Sequence, residues 1–99
     1  MNVAAIEAAG DGTFRVTGPV VMATAGELLE ASRRLFPETG DLQIDLSGVT
    51  QVDSAALALL IEWLRQARRR NHSIRIEGAP DKLLSIARLT DVQDIILNK

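Results

Sequence analysis

Asp53 and Ser54 stand side by side immediately before an apolar run, Ala55 to Ile61. That pair offers two kinds of chemistry. A carboxylate at a helix start accepts N–H groups of the first turn and complements the positive end of the helix dipole. A serine hydroxyl can do the same capping, or it can stay free to hydrogen-bond a partner or accept a phosphate. Either residue alone would cap the helix, so the pair is more than a cap requires. If Asp53 caps, the Ser54 hydroxyl lies exposed at the helix mouth. A phosphate there would be electrostatically at home but would disrupt a tight contact.

Other candidate chemistry is sparse. His72 is the one histidine and there is no cysteine. Metal and nucleophile sites need convergent groups, so the chain reads as non-catalytic, with no metal and no cofactor. It carries no phosphate-cradling glycine loop, so it is not itself an ATPase. Asp91 and Asp94 lack a loop-ligand pattern around them. Arg65, Arg68, Arg69 and Arg70 form a basic helix end. They either offset the dipole and aid solubility, or make an electrostatic contact with an acidic partner or phospholipid headgroups. A net charge of −2 and only Phe14, Phe36 and Trp63 as aromatics argue against nucleic acid.

These residues need a scaffold. A length of 99 residues indicates one domain over residues 1–99. With 46% hydrophobic and 24% charged residues the composition is that of a soluble globular chain. The core must be built from Leu, Ile, Val and Ala. The start, MNVAAIEAAGDG, has neither the basic opening nor the apolar core of a signal peptide. The apolar run is far short of the roughly 20 residues of a membrane span. The expected location is cytoplasmic, and any work at a membrane would go through a partner.

Val3 to Ala8 and Thr13 to Thr17 read as strands joined by a Gly10-Asp11-Gly12 turn. Thr24 and Glu27 have capping-box spacing ahead of a helix with Leu28, Ala31 and Leu35 on one face, ended by Pro37. Asp41 to Leu46 alternates as a half-buried strand, which Ser47-Gly48 is expected to end. A helix from about Ser54 to Arg70 follows, with Asn71 as its C-terminal cap. Ile74 and Ile76 mark a further strand, and Pro80 opens a short helix with Leu83, Ile86 and Ala87. The tail, Val92 to Leu97, is a last turn or a short strand. Strand–helix–strand units favour parallel pairing with a right-handed crossover. The expected fold class is therefore α/β, one mixed sheet of about four to five strands with helices packed mainly on one face.

At about 100° per residue, Leu57, Leu60, Ile61 and Leu64 share the sector expected to face the sheet. Glu62, Arg65, Gln66 and Arg69 lie opposite. Ala56, Leu59 and Trp63 form a second flank. It either packs on a neighbouring helix or meets another protein, where a large side chain such as Trp is a common anchor.

The segment IDLSGVTQVDSAALALL, a strand and then Asp-Ser at the mouth of an apolar helix, resembles the STAS domain family. The likeness is greatest to the MlaB-type branch, through Asp53-Ser54 with Leu57 to Leu60, and through EGAPDKLLSIARL with Gly78, Lys82, Leu83, Ala87 and Leu89. It covers residues 41–89; the first forty residues match only in length and element order. The resemblance implies a small STAS-type fold and a non-catalytic subunit of an Mla-type ABC phospholipid transporter. That subunit would bind an MlaF-like ATPase beneath an MlaE-like permease, support its assembly and activity, and serve outer-membrane lipid asymmetry. The family's key hydroxyl carries over onto Ser54. The expected docking surface is then Asp53, Ser54, Ala55 and Ala56, extended by Leu59 and Trp63. Where that branch has Thr followed by two glycines, this chain has Ser54-Ala55-Ala56, and the added methyl groups narrow how closely a partner backbone can approach. Serine is nearer the sigma-regulator branch, which makes Ser54 a candidate phosphorylation site and an anti-sigma factor antagonist the alternative role.

Overall fold

The computed structural model describes residues 3–38 and 40–89. Its elements are β1 (Ala5–Gly10), β2 (Thr13–Val20), α1 (Met22–Leu35), β3 (Leu42–Val52), α2 (Ser54–Arg69), β4 (Ile74–Glu77) and α3 (Asp81–Leu89). The sheet order is β1-β2-β3-β4, with β1 antiparallel to β2 and the other neighbours parallel. This is the expected α/β architecture, with four strands among the described residues. The tail from 92 to 97 lies outside them.

The strands alternate as half-buried strands should. Ile6, Phe14, Val16, Leu42, Ile44, Leu46 and Ile74 are buried on one face. Arg15 and Arg75 are exposed on the other, where Arg15 pairs with Asp45 at 3.3 Å across β2 and β3. The helices cover the apolar face, with α2 between α1 and α3. Leu28 of α1, Leu60 and Trp63 of α2, and Leu83 and Ala87 of α3 close the core. Because β2, β3 and β4 are parallel and each runs into a helix, all three helices begin at the same edge of the sheet.

Two strands run longer than their sequence patterns indicate. Ser47-Gly48 does not end β3. The pairing passes from Arg15↔Asp45 to Thr17↔Gly48, so β3 carries one extra residue in a bulge. The Asp45 carboxylate accepts the Ser47 N–H at 2.9 Å, and a Cβ on residue 48 would stand 2.9 Å from Thr17 Cγ2. The Ser-Gly pair marks a kink inside a strand rather than a turn. β2 likewise continues through Gly18, whose φ of +83° brings its backbone so close to the Val3 carbonyl that a Cβ would collide with it.

At α1 the capping-box reading is corrected. The helix starts at Met22, which puts Thr24 three residues after the cap residue Val21. Its hydroxyl accepts the Val21 N–H at 3.0 Å and donates to the Pro19 carbonyl at 2.8 Å. Thr24 thus satisfies the cap residue's own N–H, the reciprocal half of such a box. The C-terminus of α2 follows expectation. Asn71 takes φ +58°, and His72 and Asn71 donate to Ala67 and Arg68 at 2.8 and 3.3 Å, completing a Schellman motif.

Candidate functional site

The open choice at the mouth of α2 is resolved by Asp53. It is the cap residue, in an extended conformation, and its Oδ1 accepts the Ala55 N–H at 2.8 Å. Its other oxygen, Oδ2, accepts the Met22 N–H of α1 at 3.1 Å. One carboxylate therefore serves the first turns of two helices and ties their starts together. Neither first turn contains an acidic residue, so Asp53 is the negative group nearest both positive helix ends.

Ser54 is released from capping by this arrangement. It is the first residue of α2 and exposed, and its hydroxyl has no hydrogen-bond partner among the described residues. Ala55 beside it is half-buried. The exposed line continues down α2 through Ala58 to Arg65, with Ile61 half-buried on its flank. Met22, at 78% exposure, projects beside the mouth from α1. Sequence reasoning missed Met22 because a helix starting at Thr24 would leave it in a loop. The signal was present in Val20-Val21, where the buried strand residue ends and the chain must turn.

The other members of the expected surface do not lie there. Ala56, Leu59 and Trp63 are 2%, 5% and 1% exposed, packed within this chain's own core. The buried sector of α2 is wider than expected and shifted toward Trp63. Leu57 and Leu60 are buried as expected, Ala56, Leu59, Trp63 and Ala67 are buried beside them, and Ile61 and Leu64 are only half-buried. The cause is α1, which lies against the flank that carries Trp63. The Trp63 indole donates to Ser32 Oγ at 2.8 Å, and Ser32 donates to the Leu29 carbonyl at 2.6 Å. Phe14, Phe36 and Trp63 run as a chain of tilted rings with centroids 4.9 and 5.5 Å apart. Trp63 is an internal anchor of the α1–α2 contact, and the extension of the docking surface to Leu59 and Trp63 is withdrawn.

The remaining candidate groups stand apart from the mouth. Among the described residues no cluster of His, Asp and Glu is placed to hold a metal ion. His72 lies beyond the opposite end of α2, among Phe36, Leu42, Trp63 and Ile74. Asp45, on the open sheet face, has its pKa lowered, first by the Ser47 backbone N–H and then by the Ser47 hydroxyl, with Arg15 adding to it. The Ser73 backbone N–H, and then its hydroxyl, lower Asp41. Asp45 fastens the bulge in β3, and Asp41 ties the start of β3 to Ser73 just ahead of β4. No described helix is long and apolar enough to cross a membrane.

A family model described as "Mlab, STAS domain" matches residues 4–98. The intermembrane phospholipid transport system binding protein MlaB of Escherichia coli (strain K12) is 33% identical over 54 residues, which is 54% of this chain and 56% of that protein. Its counterpart in Haemophilus influenzae is 35% identical over 54 residues, 54% of this chain and 51% of that protein. The alignments thus span about half the length of these relatives. The anti-sigma-B factor antagonist of Bacillus subtilis (strain 168) is 24% identical over 96 residues, 97% of this chain and 88% of that protein. The crystal structure of an antisigma-factor antagonist STAS domain from Rhodobacter sphaeroides superposes with a TM-score of 0.59 at 23% identity, covering 77% of this chain and 85% of that one. A sheet with its helices on one face, an Asp-Ser pair at the mouth of the central helix and a family match over nearly the whole sequence agree: this chain belongs to the STAS domain family of MlaB type.

Proposed function

We propose that this protein is a non-catalytic accessory subunit that binds the ATPase of an Mla-type ABC phospholipid transporter. It acts in the cytoplasm, reaching the inner membrane through an MlaF-like ATPase that sits beneath an MlaE-like permease. The docking surface is the mouth of α2, with Ser54 and Ala55 at its centre and Asp53 holding it in shape. The observation that carries this reading is the division of labour between neighbours. Asp53 accepts both first-turn N–H groups, leaving an exposed serine hydroxyl with no partner among the described residues. Binding would stabilise the assembled ATPase by mass action, because it favours the folded, associated form. Ser54→Arg puts a large charged side chain on that surface without touching the core. Its expected result is loss of co-purification with the ATPase while circular dichroism and the melting temperature stay those of the parent. Recovery of the complex at parental yield overturns the reading.

A second reading, an anti-sigma factor antagonist switched by phosphorylation of Ser54, has its own support. The residue is a serine, and the Bacillus subtilis antagonist aligns along nearly the whole sequence. A phosphate on Ser54 would sit at a helix N-terminus, which stabilises it, but beside the Asp53 carboxylate, which repels it. Phosphoserine found at Ser54 in native extract, together with capture of a kinase rather than an ATPase, would establish this role instead.

A further inference from the structure

The C-terminal end of the helical layer, about 24 Å down α2 from Ser54, has a different character. Six of the chain's 11 basic residues gather there: Arg33 and Arg34 on α1, then Arg65, Arg68, Arg69 and Arg70 on α2 and its cap. Dipole compensation does not account for so many. Each helix end carries roughly half a negative charge, so together the two need about one cation. Glu30, Glu62 and Glu38 offset three more. The corner keeps a surplus of about two positive charges, in a chain whose total is −2.

The surplus borders a concavity. A cleft of about 300 Å³ opens between the ends of α1 and α2, lined by Ser32, Arg33, Phe36, Gln66, Arg69 and Arg70. Two of its guanidinium groups are held loosely at exposed sites, Arg33 by Glu30 at 3.2 Å and Arg69 by Glu62 at 3.7 Å. Exposed pairs of this kind are worth little, so a better anion can take over the arginines. Arg70 has no ion-pair partner among the described residues. Planar guanidinium forks match phosphate oxygens two at a time, and the volume is at the lower end for small-molecule sites.

We infer that this cleft binds a phosphate group through Arg33, Arg69 and Arg70. The group belongs either to a free phosphate compound or to a phospholipid headgroup. The site is independent of the Ser54 surface and leaves it open for a protein partner.

The test titrates the full chain at low salt with inorganic phosphate and pyrophosphate, following amide shifts by NMR. In parallel, flotation is measured with vesicles of phosphatidylglycerol and phosphatidylcholine against phosphatidylcholine alone. The cleft variant combines Arg33→Gln, Arg69→Gln and Arg70→Gln; the charge-matched control combines Arg15→Gln, Arg75→Gln and Arg88→Gln, none of which belongs to this corner. Saturable shifts at residues 32–36 and 66–70 are expected. The cleft variant should bind pyrophosphate at least about tenfold more weakly, since charge-assisted hydrogen bonds are lost, with the control close to the parent. Arg69→Lys with Arg70→Lys keeps the charge but removes the fork, and should fall between, which protects the test if the triple variant is unstable. Flotation abolished in the cleft variant assigns the phosphate to a headgroup. Phosphate binding without flotation assigns it to a soluble compound. No saturable shift, or equal losses in cleft variant and control, overturns the inference; so does binding of a Glu-rich peptide without binding of phosphate.

Discussion

Ser32 and Ser54 are the same residue in opposite situations. Ser32 is fully buried between α1 and α2, accepts from the Trp63 indole and donates to Leu29. Ser54 stands exposed at the start of α2 with no partner among the described residues, because Asp53 has taken over the cap. Each serine sits near a residue that fixes its role. The lesson is that a hydroxyl's function is set by which neighbour satisfies the surrounding N–H groups. Where the hydroxyl is needed internally it is structure; where a carboxylate takes over the cap it is left exposed.

The sharpest way to break this contrast is at the buried side. Trp63→Ala should remove about 3–5 kcal/mol by leaving a cavity against Phe36 and the sheet, a large share of the stability of a domain this size. Urea unfolding should show a collapsed or non-cooperative transition. Retention of the parental midpoint would place the indole outside the core. Ser32→Ala should cost about 1–3 kcal/mol, because the indole N–H is then buried without an acceptor. Combining it with Trp63→Phe should cost less than the two single changes added together, since both partners disappear at once. Strict additivity would mean that the 2.8 Å bond carries no energy.

Asp53 links the two regions. Asp53→Ala should cost about 1–2 kcal/mol through loss of the cap and of the tie to Met22. Asp53→Asn, which keeps one carbonyl acceptor but replaces the second oxygen by a donor, should cost less. Faster amide exchange at both Met22 and Ala55 in the alanine variant is the accompanying readout; exchange unchanged at Met22 would show that the helix starts are not joined.

The smallest effects lie at the surface. Asp45 has a folded pKa below its unfolded value, so its contribution to stability is fully present above about pH 4 and is lost as pH falls through the lower folded value. Asp45→Asn should therefore lower stability slightly at pH 7, flatten part of the decline below about pH 4 and converge on the parent at low pH; an undiminished decline would show that Asp45 takes no part in it. Ser54→Ala, by contrast, should move stability by no more than about 0.5 kcal/mol at any pH while weakening partner capture. A larger loss of stability would mean the hydroxyl is occupied after all.

Much of this was legible in the sequence where the pattern is local. Alternation in Leu42, Ile44 and Leu46, the positive-φ turn at Gly10 to Gly12 and the Asn71 cap all follow from short-range sterics and periodicity. The Ser47-Gly48 pair misled, because a glycine needed for close strand approach looks the same in sequence as one needed for a turn. Trp63 misled for a similar reason: an amphipathic wheel shows which residues are apolar but not which neighbour will cover them.

By itself the sequence determined the element types, the α/β class, the position of an Asp-Ser pair at a helix start and the basic end of α2. Those depend on spacing along one chain segment. Only the tertiary structure decided that Asp53 reaches across to Met22, that Ser32 receives the Trp63 indole, and that arginines from two helices border one cleft. Each of these joins residues more than thirty positions apart, and such contacts arise from how packed elements rotate and abut, which no local periodicity encodes.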